Sequence, residues 1–271
     1  MRGTGQASLD QVAGLFEPVL AQAGPDAAVI GEQLFALVDA LDSSGSLRRA
    51  LSDPARSGDD KAALVTGLLG GKVDGRVTEV VAGLARARWS AEADLVTAVE
   101  HLGLDAVLAA AEHAGALAQV EDELFRLDRM LVGQRELRQA LTARGADAGQ
   151  RARLVRTVLE GKVHAFTLQL VERVARAPRG RSVSASLGLV GRLAAARRER
   201  LVAAVSVATT LTKAQEARLT GLLEQAYGRP VQLNLSVDPA VIGGMRIQVG
   251  SEVVDSTVLA RLDDARRRLA G

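Results

Sequence analysis

Slid against itself by 90 residues, the chain superposes positions 34–90 on 124–180 without a gap. Leu34-Phe35 meets Leu124-Phe125, Leu37 and Leu41 meet Leu127 and Leu131, and Leu47-Arg48 with Ala50-Leu51 meets Leu137-Arg138 with Ala140-Leu141. Further on, Ala62, Leu64, Val65 and Leu69 meet Ala152, Leu154, Val155 and Leu159. Gly71-Lys72-Val73 meets Gly161-Lys162-Val163, Val81 meets Val171, and Ala85-Arg86-Ala87 meets Ala175-Arg176-Ala177. These are 19 identities in 57 positions, against roughly six expected by chance from so biased a composition. Most are apolar and lie at helical spacing, so both segments carry one core pattern. The period is too long for a solenoid unit, which predicts a duplicated domain whose copies each bury a core.

Within each copy the punctuation is helical. A first helix is expected from about Ser8 to Ala21. Pro25 and Asp26 open a second with Leu34, Leu37, Val38 and Leu41 on one stripe. A short helix holds Leu47 and Leu51 and stops before Asp53-Pro54. Ser57 with Asp60 starts a helix over 58–70, ended by Gly70-Gly71. Asp74 caps the next, to about Arg88, and Ser90 begins the sixth, to about Leu102. In the second copy Asp147 and Gln150 form a capping box, and Pro178-Arg179-Gly180 breaks the chain before a helix from Ser182 to about Arg198. Residues 104–132 hold no proline, and there the first two helices of the second copy are expected to fuse.

The C-terminal third changes period. Val231, Leu233, Leu235 and Val237 alternate with Gln232, Asn234 and Ser236, and Met245, Ile247 and Val249 alternate likewise, so both runs predict strands. Leu201–Val207 reads as another. Gly250-Ser251 is suited to a two-residue turn into Val253-Val254. Thr212 and Gln215 make a capping box for a helix to about Tyr227, and a last helix starts near Ser256. The expected fold is mainly α: two tandem helical bundles of a six-helix type, residues 1–104 and 105–198, followed by a small α/β domain over 199–271.

Composition narrows the chemistry. Aromatic residues make up only 2% of the 271 positions while 48% are apolar, so the core is built from Ala, Leu and Val, which suits helix-on-helix packing. With no cysteine there is no disulfide, thiolate nucleophile or cysteine-ligated metal. No apolar run approaches the ~20 residues that span a bilayer, and the start MRGTGQASLD lacks an apolar signal core; the chain reads as soluble. The net charge of +2 hides a segregation: residues 1–105 carry a net −6, residues 106–198 a net +7 and the rest +1. A basic middle can meet nucleic acid, an anionic membrane, an acidic protein surface, or its own acidic N-terminal neighbour.

The stretch Asp238-Pro-Ala-Val-Ile242-Gly243-Gly244, the alternating run Met245–Val249, Gly250, and Asp255-Ser256-Thr257 together resemble the signature of the delta (OSCP-type) subunits of F-type ATP synthases. That family reads Asp-Gly-Ser at the last triplet, where this chain has Ser256 and Thr257 after Asp255. The segment Ala203–Leu211 with Thr212-Lys213, and Leu47–Pro54 with Lys61, are similar to further family segments. The resemblance covers the whole chain if one helical copy is counted as extra. It implies a non-catalytic stator subunit without cofactor or metal, peripheral at the cytoplasmic face of the cell membrane. In such a subunit the helical bundle binds N-terminal segments of alpha subunits on the catalytic head, and the C-terminal domain grips the C-terminal region of the b-subunit stalk. Asp238, Ile242, Gly243, Gly244, Gly250 and Asp255 are then structural or stalk-binding.

Other signals have plain readings. His101, His113 and His164 are scattered, which favours structural roles over a metal site. Gly67-Leu-Leu-Gly-Gly-Lys72 misses the phosphate-loop spacing and has Val73 where the magnesium hydroxyl belongs, so a helix C-cap is the better account. Asp59-Asp60 and Glu121-Asp122-Glu123 read as helix-start and solvated charges, Arg197-Arg198 and Arg266-Arg267-Arg268 as helix-end cations. Trp89 fits local packing or a partner anchor. A nucleic-acid-binding helical protein is the rival class, weakened by the shortage of stacking aromatics, and an enzyme is the third, for want of converging catalytic groups.

Overall fold

The computed structural model describes residues 3–134, 147–199, 201–228, 230–238, 241, 243–249 and 252–255. The chain divides into two compact units, residues 1–198 and 199–271. The first is helical: α1 (Thr4–Ala23), a 3-10 turn (Gly24–Asp26), α2 (Ala27–Ser43), α3 (Gly45–Ser52), α4 (Gly58–Leu69), α5 (Gly75–Arg86), α6 (Glu92–His113), α7 (Leu117–Gly133), α8 (Ala148–Leu159), α9 (Ala165–Arg176) and α10 (Val183–Glu199). The repeat pairing of Leu137-Arg138 and Ala140-Leu141 lies outside the described residues.

The 90-residue offset holds for these elements at the level of bounds. The bounds of α7, α8 and α9 lie 90 residues after those of α2, α4 and α5 at both ends. Hydrogen bonds repeat as well. The Gln33 side chain accepts from the Asp74 amide at 2.8 Å, and Glu123, its counterpart, accepts from the His164 amide at 2.9 Å. The Lys72 and Lys162 amides each donate to the carbonyl of Leu69 or Leu159 at 2.9 Å. Gly71 and Gly161 follow with φ 71° and 74°, the left-handed conformation that lets a helix end turn without a Cβ clash.

N-caps act where expected. Ser57 accepts from the Asp60 amide at 3.1 Å and Asp74 from the Arg76 amide at 2.8 Å. Asp147 takes its bond from Gly149 at 3.1 Å rather than from Gln150. The expected fusion is placed differently. The sixth helix runs on to His113, past the expected division at 104/105, and the chain breaks at Gly115 (φ 68°) before α7. The Gly115 amide donates to Glu112 O and the Ala116 amide to Ala111 O, at 2.9 and 2.8 Å, a Schellman closure that a search for prolines overlooks.

Helix α6 buries 15 of its 22 residues, which a helix with one dry face cannot do. Leu95, Val96, Val99 and Leu102 enter one core with α1–α5; Leu104, Val107, Leu108 and Ala111 enter another with α7–α10. Its tightest neighbour is α2. A Cβ on Gly31 would lie 2.8 Å from a Val107 methyl and 2.9 Å from the Gly103 carbonyl oxygen, and one on Gly103 would lie 2.6 Å from the Phe35 ring. Two glycines therefore set the approach of this pair.

Ion pairs fasten the basic part of this unit to the acidic part. Arg173, 6% exposed, donates to Asp39 at 2.7 Å, with its guanidinium 4.9 Å from the centre of the Phe35 ring. Arg179 reaches Asp42 at 3.0 Å and Glu100 at 2.9 Å, and Arg181 pairs with the same buried Glu100. Arg179 is left-handed at φ 49°, a strain of about 1–2 kcal/mol for such a residue that these pairs offset. Arg197, 3% exposed, donates to Glu17 at 2.6 Å and Glu112 at 2.7 Å, joining α1, α6 and α10. Burial works against its charge, but Glu17, Asp105 and Glu112 outweigh that and hold the guanidinium protonated.

The second unit contains β1 (Leu201–Val207), α11 (Lys213–Tyr227), β2 (Val231–Val237), β3 (Met245–Val249) and β4 (Glu252–Asp255) in a mixed sheet of order β2-β1-β3-β4. β1 runs parallel to β2 and antiparallel to β3. Both halves of the Thr212–Gln215 capping box are made. Ala203, Val205, Leu219, Val231, Ile247 and Val249 form the core. The expected apolar row of β2 fades along the strand: Val231 is buried, Leu233 half-buried, and Leu235 and Val237 are exposed. The expected turn at Gly250-Ser251 and the helix after Ser256 lie outside the described residues. The molecule is thus mainly α with a small mixed sheet near the C-terminus.

Three outcomes follow from this packing. Gly31→Ala gains up to ~1 kcal/mol of helix propensity but overpacks against main chain at ~1–3 kcal/mol, so it should lower the urea midpoint. Gly14→Ala, where a Cβ meets nothing within 4 Å, should raise it. Arg197→Met removes the counter-charge between Glu17 and Glu112 and should cost ~3–5 kcal/mol, much of which Glu17→Leu in the same chain restores; equal loss in single and double variants would argue against the pairing. At Glu123, burial opposes ionisation, but hydrogen bonds from Thr167, Gln119 and the His164 amide prevail and hold its pKa below the ordinary 4.5. Its contribution is therefore full above that value and fades as the pH falls through the lower folded-state value. Glu123→Gln, which copies Gln33, should flatten this part of the acid dependence; superimposable stability–pH curves would refute it.

Candidate functional site

Three places in the molecule are candidate sites, and part of the signature lies at one of them. The Asp238 amide donates to the β1 residue Val207 at 2.9 Å, which pins the end of β2. The Asp238 carbonyl accepts from the Val241 amide at 3.0 Å, and the Val241 carbonyl from the Gly243 amide at 3.1 Å, both ahead of β3. Gly243 and Gly244 have φ 67° and 81°, a consecutive left-handed pair that side chains resist. This accounts for two adjacent glycines on physical grounds. Asp255 stands opposite Arg246 in the β3–β4 register, with β1 and β3 between its strand and β2, whose end Asp238 follows. The structure therefore brings Asp238, Gly243 and Gly244 together in one connection and sets Asp255 at an outer strand. Ile242 and Gly250 lie outside the described residues.

The second place is a cavity of 380 Å3 between α2 and α9, lined by Glu32, Phe35, Asp39, Arg156, Glu172 and Arg173 among others. Its charges are internally matched: Arg156 forks onto Glu172 at 2.7 and 2.9 Å, Gln169 bonds Glu32 at 2.7 Å, and Arg173 holds Asp39. A third is a groove of 480 Å3 between α7 and α10, with Phe125 60% exposed at its lip.

The groups considered for chemistry have structural employment. His164 caps α9, its Nδ1 accepting from the Phe166 amide at 3.3 Å. His101 lies 3.7 Å from Asp105 on the same helix, and His113 packs over Gly24. Among the described residues no group of three or more His, Asp or Glu could hold a metal ion. Lys72 follows a left-handed glycine at a helix end, an arrangement repeated at Lys162, and it forms no phosphate loop. Trp89 donates its indole N–H to the Leu84 carbonyl at 2.8 Å and packs against the first core. No described helix is long and apolar enough to cross a membrane.

Sequence reasoning offered the acidic N-terminal neighbour as one of four partners of the basic segment and named no pairs. Arg173, Arg179, Arg181 and Arg197 face acids contributed largely by residues 1–105, and Arg126, Arg156 and Arg198 pair within their own half. The signal was present as the opposed net charges, which carry no pairing information. With these arginines engaged, the nucleic-acid reading loses much of its charge.

The comparisons agree with these features. A family model, ATP synthase delta (OSCP) subunit, matches residues 105–269, from the expected start of the second copy through the C-terminal unit. The ATP synthase subunit delta of Beutenbergia cavernae is 56% identical over 271 residues, covering 100% of both chains. Those of Streptomyces griseus and Streptomyces avermitilis are each 47% identical, over 91% and 90% of this chain and the same shares of theirs. A family match over more than half of the residues, with full-length relatives above any identity at which chance is a concern, leads to one conclusion: the chain belongs to the ATP synthase delta (OSCP) family.

Proposed function

We infer that the chain is a stator joint whose helical unit holds the catalytic head through N-terminal segments of alpha subunits and whose C-terminal unit holds the C-terminal region of the b-subunit stalk. Membership in the family makes it a peripheral-stalk subunit of an F-type ATP synthase and a structural, non-catalytic one. The full-length 56% identity carries this reading, since it extends over both helical copies and the sheet. Its place would be the cytoplasmic face of the cell membrane, held there through the complex.

A joint under torque needs large contacts made of several segments, because multivalent attachment slows release without any single tight site. Grooves between Ala-rich helices suit the entry of an amphipathic partner helix. The signature turn, with Asp238 and the left-handed glycines, would give the C-terminal unit a fixed edge for the stalk. We read the helical unit as a duplication over 1–104 and 105–198 in which α6 serves as the last helix of one copy and the first of the next. The matched bounds and hydrogen bonds support that reading, and the family model begins where the second copy does. The N-terminal copy would then be the addition.

A pull-down with the full chain from detergent-solubilised membranes should recover alpha, beta and b-type subunits. Failure to recover any of them would remove the stator reading, and tight RNA or DNA retention with a steep salt slope would favour the rival.

A further inference from the structure

The turns that open α5 and α9 occupy the same place in the 90-residue pattern, yet three side chains differ there in concert. In the first copy Asp74 is the N-cap of α5 and accepts from the Arg76 amide at 2.8 Å. The Arg76 guanidinium forks back onto the same carboxylate at 2.9 and 2.6 Å. These bonds, those of the Arg76 side chain foremost, hold the Asp74 carboxyl below its ordinary range. The Asp74 amide is received by Gln33, a neutral side chain. In the second copy the three positions read His164, Phe166 and Glu123. The cap is now an imidazole stacked on the Phe166 ring at 5.2 Å, and the carboxylate stands on α7 instead.

An imidazole of this kind caps a helix only while it is neutral. His164 Nδ1 accepts from the Phe166 amide at 3.3 Å, which puts the ring hydrogen on Nε2. A second proton occupies Nδ1, removes the lone pair aimed at the amide, and sets a cation against the positive end of α9. The group that receives this cation is already in place. Glu123 Oε2 accepts from the His164 amide at 2.9 Å and from Thr167 Oγ1 at 2.5 Å, and its charge interacts with the ring. Burial opposes that charge, but the hydrogen bonds prevail and keep Glu123 ionised in mild acid. The other charges around α9 are engaged. Glu32 and Asp39 of α2 take Gln169 and Arg173, and Arg156 of α8 forks onto Glu172. Glu100 of α6 holds Arg179 and Arg181 in the turn after α9. Lys162 stands two residues before the ring, and the first turn of α9 has no acidic residue.

We propose that His164 is an acid-sensitive cap: neutral, it closes the start of α9, and protonated, it leaves the Phe166 amide for Glu123 and lets the first turn of α9 open. Asp74 keeps α5 closed through the same pH range, so the two copies within one chain respond differently to acid. The contribution of the His164 cap is present on the alkaline side and fades as the pH falls through the range in which imidazoles titrate. Helix α9 also carries Arg173, whose bond to Asp39 ties the second copy to α2, so the loosening acts on an element that joins the copies. The device stands on the geometry of this turn and is independent of the stator reading.

Amide exchange followed by NMR on the full-length chain, from about pH 8 to about pH 5, tests this. After correction for intrinsic exchange, protection of the Phe166 amide should fall about fivefold or more, the effect of losing one cap, while that of the Arg76 amide holds. The ring nitrogens of wild-type His164 report the same event without any variant: Nδ1 should be unprotonated at the upper pH and gain its hydrogen as protection falls. His164→Asp, which copies Asp74, should abolish the fall, and Glu123→Gln should move it to lower pH. Parallel changes at Arg76 and Phe166, a hydrogen on Nδ1 at the upper pH, or an unaltered fall in His164→Asp would each overturn the proposal.

Discussion

Helix α6 has to satisfy two hydrophobic cores at once, and most of the helical unit depends on how it does so. One side of it supplies Leu95, Val99 and Leu102 to the core under α1–α5, and another supplies Leu104, Val107 and Leu108 to the core under α7–α10. An element dry on so many sides needs neighbours all around it, so neither set of helices is complete without it. The contact with α2 is the closest, and Gly31 and Gly103 make it possible by removing the side chains that would hold the backbones apart. A helix shared in this way also transmits strain, because a packed interior yields little when one side is pulled.

Around that shared helix the charges are arranged as fasteners. Arg173, Arg179, Arg181 and Arg197 come from the later part of the unit, and Glu17, Asp39, Asp42 and Glu100 from the earlier part. Partly buried ion pairs of this kind contribute less net stability than their Coulomb attraction implies, since each charge loses water. What they do enforce is one relative placement of helices, because any other would bury unpaired charge. For a subunit that must hold its shape under torque, specificity of placement matters more than a few kcal/mol.

The C-terminal unit follows a different logic. Its sheet has a parallel β1–β2 pair connected through α11 and an antiparallel extension through β3 and β4. Ahead of β3, Gly243 and Gly244 sit in conformations that other residues resist. Leu235 and Val237 remain exposed on β2, so the apolar row that alternation predicts is only partly consumed by the described core.

Much of this was legible in the residue order, because periodicity and caps are local. The helices over 58–69 and 75–86, the strands at 201–207 and 231–237, and the box at Thr212 all follow from spacing that a few neighbouring residues define. The signature around Gly243-Gly244 was legible for the same reason. What needed tertiary structure was everything set by distance in the chain. The run of Ala and Leu through 104–113 fits either end of a module equally well, and only packing against both cores assigns it. Net charges of −6 and +7 could not say that Arg197 meets Glu17, 180 positions away. Phe35 and Phe125 share the pattern Leu-Phe-x-Leu, and only the packing shows that one is buried and the other open. Local order determined the elements; side-chain volume and buried charge decided how they met.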